Sequence, residues 1–287
     1  MKNLIVTADD FGVAREVNDA VEQAHKEGIL TAASLMVSAP ETADAVQRAK
    51  GMPRLRVGLH LVLVEGRPML PPAAVPDLVD SGGLFRTDMV RAGIAMFLLP
   101  KVRRQLAAEI EAQFNAFAAT GLELDHVNAH KHFHLHPTVA DLVVRIGRVF
   151  GMKAMRVPYE PGEVLRQIEP ASRGSIVVEL WARRLRRRLA AAGIFSPDRV
   201  FGLAWSGAMT TARLTSLLAR LPDGTSEIYL HPAAGPKFVG AAPGYLYEQE
   251  LAALISSQAI DLTKKNNIRM GAFGNFLRRA EGGTVAA

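Results

Sequence analysis

Five of the eight histidines in this 287-residue chain fall between positions 126 and 136: His126, His130, His132, His134 and His136, interleaved with Val, Phe and Leu and followed by Pro137. Imidazole is the usual nitrogen ligand for zinc and related metals. On an extended backbone the period-two spacing turns His130, His132, His134 and His136 to one side, and Pro137 suits the first position of a helix, so the spacing predicts a strand end running into a helix. One ion cannot take them all. The remainder must support ligands, face substrate or lie exposed. A metal-buffering tract is the simpler alternative, but such tracts seldom interleave with large apolar residues.

Three other places carry similar chemistry. Asp9-Asp10-Phe11-Gly12 puts two carboxylates where an apolar run stops, with Gly12 free to turn the backbone. A lone Asp there could simply cap a helix. Two adjacent carboxylates repel, so keeping both is costly unless a cation or proton lies between them. His60 sits inside Val57-Gly58-Leu59-His60-Leu61, where a buried imidazole needs a partner, and His231 follows Ile228-Tyr229-Leu230. His25, mid-helix beside Lys26 and Glu27, is given no role.

The elements that position these residues follow from periodicity. Apolar runs at 3–8, 31–38, 55–63, 125–128, 154–157, 201–205, 227–230 and 268–273 predict strands, and helical patterns lie at 14–26, 41–50, 102–119, 137–150, 175–192, 211–221 and 247–259. About eight strands alternating with helices predicts an α/β fold, an irregular TIM-like (β/α) barrel as a single domain over 1–280. Residues 65–99, with Pro68, Pro71, Pro72 and Pro76, read as an inserted lid, and 281–287 as a frayed tail. All the candidate residues then fall at C-terminal strand ends, the active-site face of such barrels. One carboxylate and two imidazoles from three strands make an open facial triad for one divalent ion, leaving a second Asp and another His as base and acid.

Composition narrows the function. With 49% hydrophobic residues the chain is not disordered, and with no cysteine it has no disulfide, thiolate site or cysteine nucleophile. The N-terminus lacks a signal-peptide pattern, so the expected location is cytoplasmic, peripheral at the inner membrane surface. The net charge of +6 and the basic run Arg183 to Arg188 suit an anionic membrane; nucleic acid is not expected, since no recognisable module surrounds that run. A non-haem iron oxygenase would use the same triad, and a non-catalytic metal-binding or membrane-surface protein would use the same histidines and arginines.

Thr7-Ala8-Asp9-Asp10-Phe11-Gly12, Gly58-Leu59-His60-Leu61, residues 126–134 and His231-Pro232 together resemble the YdjC-like carbohydrate deacetylases, metal-dependent hydrolases on an irregular (β/α) barrel. The wording at 59–72 and 125–137 looks like the hopanoid-biosynthesis-associated subgroup. The resemblance implies removal of acetyl from an N-acetylated amino sugar, in that subgroup an N-acetylglucosaminyl hopanoid lipid. It implies one divalent metal, Mg or Zn, on Asp10, His60 and His130, with Asp9 as general base and His231 as general acid. Arg156 matches a family arginine that contacts substrate or orients Asp9. Asn128, where many members have Asp, His132 and His134 are expected to touch substrate or support the ligands. The implied partners are an amino-sugar or glycolipid substrate and a peripheral membrane contact, with a homodimer allowed.

Overall fold

Alternating strands and helices organise the computed structural model, which describes residues 1–169 and 176–277. The first part runs β1 (Lys2–Phe11), α1 (Arg15–Glu27), β2 (Ala32–Leu35), α2 (Thr42–Lys50), β3 (Arg56–Leu61), α3 (Met89–Leu98), α4 (Pro100–Ala119), β4 (Val127–Ala129) and α5 (Pro137–Val149). Then follow α6 (Gly162–Arg166), α7 (Ile176–Ala191), β5 (Arg199–Phe201), α8 (Thr211–Ala219), β6 (Gly224–Leu230), α9 (Tyr247–Ile255), α10 (Ser257–Lys265) and β7 (Arg269–Met270). The strands pair in parallel in the order β4-β3-β2-β1-β6-β5, with β7 also on β1. Isolated bridges from Val127 to Met155 and from Ala154 to Phe195 draw the sheet ends together. This is the irregular, TIM-like (β/α) arrangement that the alternation predicts.

Period-two patterning sorts the strands into two faces. Leu4, Val6 and Ala8 of β1 join the main core under the helices, where Val17, Ala20, Val21 and Ala24 of α1 meet them at helical spacing. The intervening Ile5 joins a separate inner cluster with Ala32, Ala154, Phe273 and Phe276. Above that layer the barrel is filled by buried polar residues, among them Thr7, Ser34, His126, Glu227, Asp9, His60, Asn128 and Arg156. Barrel interiors are ordinarily stacked with Val, Ile and Leu, so this polar filling marks the end of the barrel that does chemistry.

Residues 65–99 are more ordered than a bare lid. An antiparallel bridge joins Val79 to Phe85, and α3 is capped by Asp88, whose carboxylate accepts the Arg91 N–H. Glu109 of α4 accepts the N–H groups of Met69 and Leu70, tying the segment down. Three expectations shift. The strand expected at 154–157 is present only as the isolated bridges of Ala154 and Met155, leaving seven strands among the described residues. The strand expected at 201–205 is β5, ending at Phe201, and the helix expected over 247–259 breaks at Ser256, whose hydroxyl caps α10 through the Ala259 N–H. Residue 175 of the basic helix and the tail at 281–287 lie outside the described residues.

Candidate active site

Consecutive strand residues point to opposite faces, so Asp9 and Asp10 could not both enter one site on a regular strand. The β1–β2 register shifts between Ala8 and Phe11, and Asp10 adopts φ 63°, a left-handed conformation uncommon outside glycine. Gly12, at φ 96°, completes the turn. Asp10 Oδ1 thereby lies 3.3 Å from His60 Nε2 and 3.3 Å from His130 Nδ1. One ligand atom each from Asp10, His60 and His130 all fall within 4.8 Å of one another.

A buried hydrogen-bond chain orients His60. Its Nδ1–H donates to Asn128 Oδ1 at 2.6 Å, while the Asn128 amide donates to Asp9 Oδ1 at 3.2 Å and Ser34 Oγ at 2.9 Å. The Asp9 carboxylate can only accept, so this orientation of the amide is required and Nε2 of a neutral His60 is left with its lone pair toward Asp10. Ser34 donates to His126 Nε2 at 3.0 Å, and His126 Nδ1–H donates to Asp125 at 3.1 Å. Gly58 makes room for this: a Cβ there would stand 2.5 Å from the His126 ring.

The period-two reading of the histidine cluster is corrected. β4 stops at Ala129, and His130–Leu135 winds as a 3-10 segment with Lys131 and His132 both at φ 53°. Tertiary partners hold that conformation: His132 Nε2 lies 2.9 Å from the Tyr229 hydroxyl, and His134 Nε2 donates to the Arg156 carbonyl at 3.2 Å. His130 reaches Asp10 and His132 lines the cleft, but His134 is wholly buried behind it. Burial and then the Arg156 charge push the His134 imidazole down to about 3, so it is neutral. His126 belongs to the inner chain and His136 to the cleft wall, between Phe97 and Trp181.

Arg156 is also wholly buried and stands behind Asp9 rather than in the cleft. Its guanidinium donates to both Asp9 oxygens, at 2.5 and 3.0 Å, and to Glu227 Oε1 at 2.6 and 2.9 Å, where Thr7 also donates at 2.8 Å, while Glu227 Oε2 is buried with no hydrogen-bond partner among the described residues. Burial opposes ionisation of Asp9, but the charge and hydrogen bonds of Arg156, with the charges of His60 and His231, together hold the carboxyl well below the usual carboxylate range. The ring of Tyr229 packs against the guanidinium, 4.5 Å from its centroid. Glu227, Ser34, Tyr229 and Asp125 are site residues that motif reading misses. Their signal is phase: Glu227 and Tyr229 are alternate residues of β6, in step with His231 just past its end, as Thr7 and Asp9 are of β1.

The inner carboxylates are three, Asp9, Asp10 and Glu227, and the one guanidinium beside them, that of Arg156, pairs with Asp9 and Glu227 only, a charge surplus that suits a cation. The same surplus acts on His60. Burial disfavours its charged form, yet Asp9 and Asp10 raise its pKa above the ordinary imidazole value. The ligand group opens into a cleft of about 1460 Å³, with His231 on its wall and the apolar Ile94, Phe97, Val178 and Trp181 farther out. His231 is placed by its backbone N–H, which donates to the buried Glu250, and by the rings of Tyr229 and Tyr245.

Comparison with known proteins places this geometry. The sequence model of the family described as YdjC-like protein matches residues 3–265. A carbohydrate deacetylase of Geobacillus stearothermophilus is 30% identical over 277 residues, 96% of this chain and 98% of that protein. A carbohydrate deacetylase of Brevibacillus brevis is 39% identical over 147 residues, an alignment covering 51% of this chain and 56% of that protein. The crystal structure of an Enterococcus faecalis V583 protein named for cellobiose-phosphate cleavage has the same fold, with TM-score 0.77, 24% identity and coverage of 96% of this chain and 99% of that one.

Proposed function

The chain belongs to the YdjC-like protein family, and we propose that it is a metal-dependent hydrolase that removes the acetyl group from an N-acetylated amino sugar, releasing acetate and a free amine. The observation that carries this reading is the convergence of Asp10, His60 and His130 beside a clamped Asp9 on the floor of an open cleft. The full-length similarity to a carbohydrate deacetylase supports it.

An acetamide is a poor electrophile with a poor leaving group, so its hydrolysis needs an activated water, stabilisation of the developing oxyanion and a proton for the departing nitrogen. A divalent cation held by Asp10, His60 and His130 supplies Lewis acidity at the carbonyl and acidifies water. One carboxylate and two imidazoles fit zinc better than magnesium, which prefers oxygen ligands. Asp9 is the acceptor for the water's proton. The Arg156 clamp weakens it as a base but fixes both of its oxygens, so its contribution is chiefly positional. His231, which follows β6 beside Asp9 and Asp10, delivers a proton to the leaving nitrogen. No side-chain nucleophile is required.

The cleft also supports the finer substrate reading, an N-acetylglucosaminyl hopanoid lipid. Its volume exceeds the roughly 300–1,000 Å³ of ordinary small-molecule pockets, and its outer walls are apolar, which suits a sugar joined to a large apolar group. Incubating the zinc-loaded protein with N-acetylglucosaminides should release acetate and primary amine in equal amounts. Release of neither from soluble or lipid-linked substrates would defeat the proposal, and oxygen consumption in their place would favour an iron oxygenase.

A further inference from the structure

We propose that the mouth of the cleft is a docking surface for an anionic lipid bilayer. The helices α3 and α7 flank that mouth, since both contribute residues to the cleft and Phe97 of α3 and Trp181 of α7 both pack edge-on against His136. On α3, Val90, Ile94 and Leu98 recur every four residues and form an exposed ridge, Val90 being 72% and Leu98 61% accessible. Leu99 extends it. On α7, Val177 and Leu180 are exposed, Leu180 to 58%. Monomeric proteins scatter exposed apolar residues singly; a set gathered on two helices around one opening marks an interaction site.

Charge selects the partner. The face of α7 that carries Val177 and Leu180 continues at helical spacing into the exposed Arg184 and Arg187, and the α3 ridge runs into the exposed Lys101 and Arg104 at the start of α4. Acidic groups nearby are few and engaged: Glu179 pairs with Arg183, Asp141 lies 3.1 Å from Arg188 and 4.0 Å from Arg184, Asp77 lies 3.0 Å from Lys101, and Asp88 caps α3. Arg104 and Arg187 have no acidic partner among the described residues. An apolar ridge bordered by arginines is the pattern of an interfacial helix, whose apolar side enters the headgroup boundary while its cations meet anionic lipid. Two separate ridges can rest together on a fluid surface without a matching shape. None of the described helices is long and apolar enough to cross a membrane, so the contact is one of surface docking.

The proposal does not depend on the deacetylase reading, and its test is read separately from turnover. The full chain should co-sediment with vesicles of phosphatidylglycerol and phosphatidylcholine at low salt, bind vesicles of phosphatidylcholine alone much less, and release at high salt. The double substitutions Leu99→Asp with Leu180→Asp, and Arg104→Gln with Arg187→Gln, should each weaken vesicle affinity by about tenfold or more. Unchanged thermal melting and acetate release from a water-soluble glycoside would show that the fold and the site survive. Absence of low-salt binding by the unaltered chain, or binding indifferent to both pairs of substitutions, would overturn the assignment. So would a concentration-dependent dimer that the apolar substitutions abolish without any vesicle binding, which would give the ridges to a second copy.

Discussion

Asp9 and Asp10 are adjacent, chemically identical and differently employed, and the difference is geometric. Arg156 neutralises Asp9, whereas the left-handed turn at Asp10 aims its carboxylate at two imidazoles. Replacing Asp10, His60 or His130 by Ala should abolish stoichiometric zinc binding in calorimetry; tight binding by all three variants would refute the ligand set. Asp9→Asn should keep the metal and lose about 10² to 10⁴-fold in turnover, because the amide preserves shape without accepting a proton. Near-normal turnover would reduce Asp9 to a partner of Arg156. Removing Arg156 is a different experiment. Arg156→Met leaves Asp9 and Glu227 buried without a counter-charge and should cost about 3–5 kcal/mol in urea unfolding at neutral pH. A loss below about 1 kcal/mol would mean that the three groups are not coupled as their distances imply.

At the scale of elements, what was legible in the sequence depended on whether local pattern or tertiary partners set the backbone. The helices α1, α2, α5 and α8 lie close to their expected bounds because an apolar stripe at 3.6-residue spacing is a local property. Asp10 and His231 were findable as polar residues at the end of apolar runs, and His60 as an imidazole inside one. The winding of His130–Leu135 was not, because two successive left-handed residues are held there by Tyr229 and by the Arg156 carbonyl, groups distant in sequence. Glu227 and Ser34 escaped because one polar residue in a buried strand has no meaning until its phase is compared with Asp9 and Asn128. Gly58 shows the same dependence, since its absent side chain is needed because the ring and the carbonyl oxygen of His126 occupy that space. Gly58→Ala should therefore lower stability by about 1–3 kcal/mol and, by displacing His126 and the chain through Ser34 and Asn128, weaken zinc affinity. A variant with unaltered melting and unaltered zinc affinity would show that the chain does not position His60.

Over the whole molecule, the chain closes the site from beneath with a segment that follows its last helix. Phe273 stacks on His126 at 4.2 Å between ring centroids, and the N–H groups of Phe273 and Gly274 donate to Asp125 at 3.2 and 2.9 Å. Asp125 thus joins the end of the barrel distant from the cleft to the hydrogen-bond chain that ends at His60. Burial opposes its ionisation, but the hydrogen bonds from His126 and the Gly274 N–H and the charge of Arg56 together hold its pKa below the ordinary 3.8. A depressed carboxyl contributes stability above its unfolded pKa and loses it as pH falls through the folded value. Asp125→Asn keeps an acceptor but removes the charge, and should cost about 1.5–3 kcal/mol at pH 7, the usual worth of hydrogen bonds to an ionised group. The difference from the unaltered protein should persist down to about pH 4 and narrow below it, where the natural carboxyl begins to take up its proton. Urea unfolding of both proteins at pH 7, 4 and 3 measures this directly. A gap that stays constant across that range would mean that Asp125 acts only as a neutral acceptor, and that the C-terminal segment is held by Phe273 and Phe276 alone.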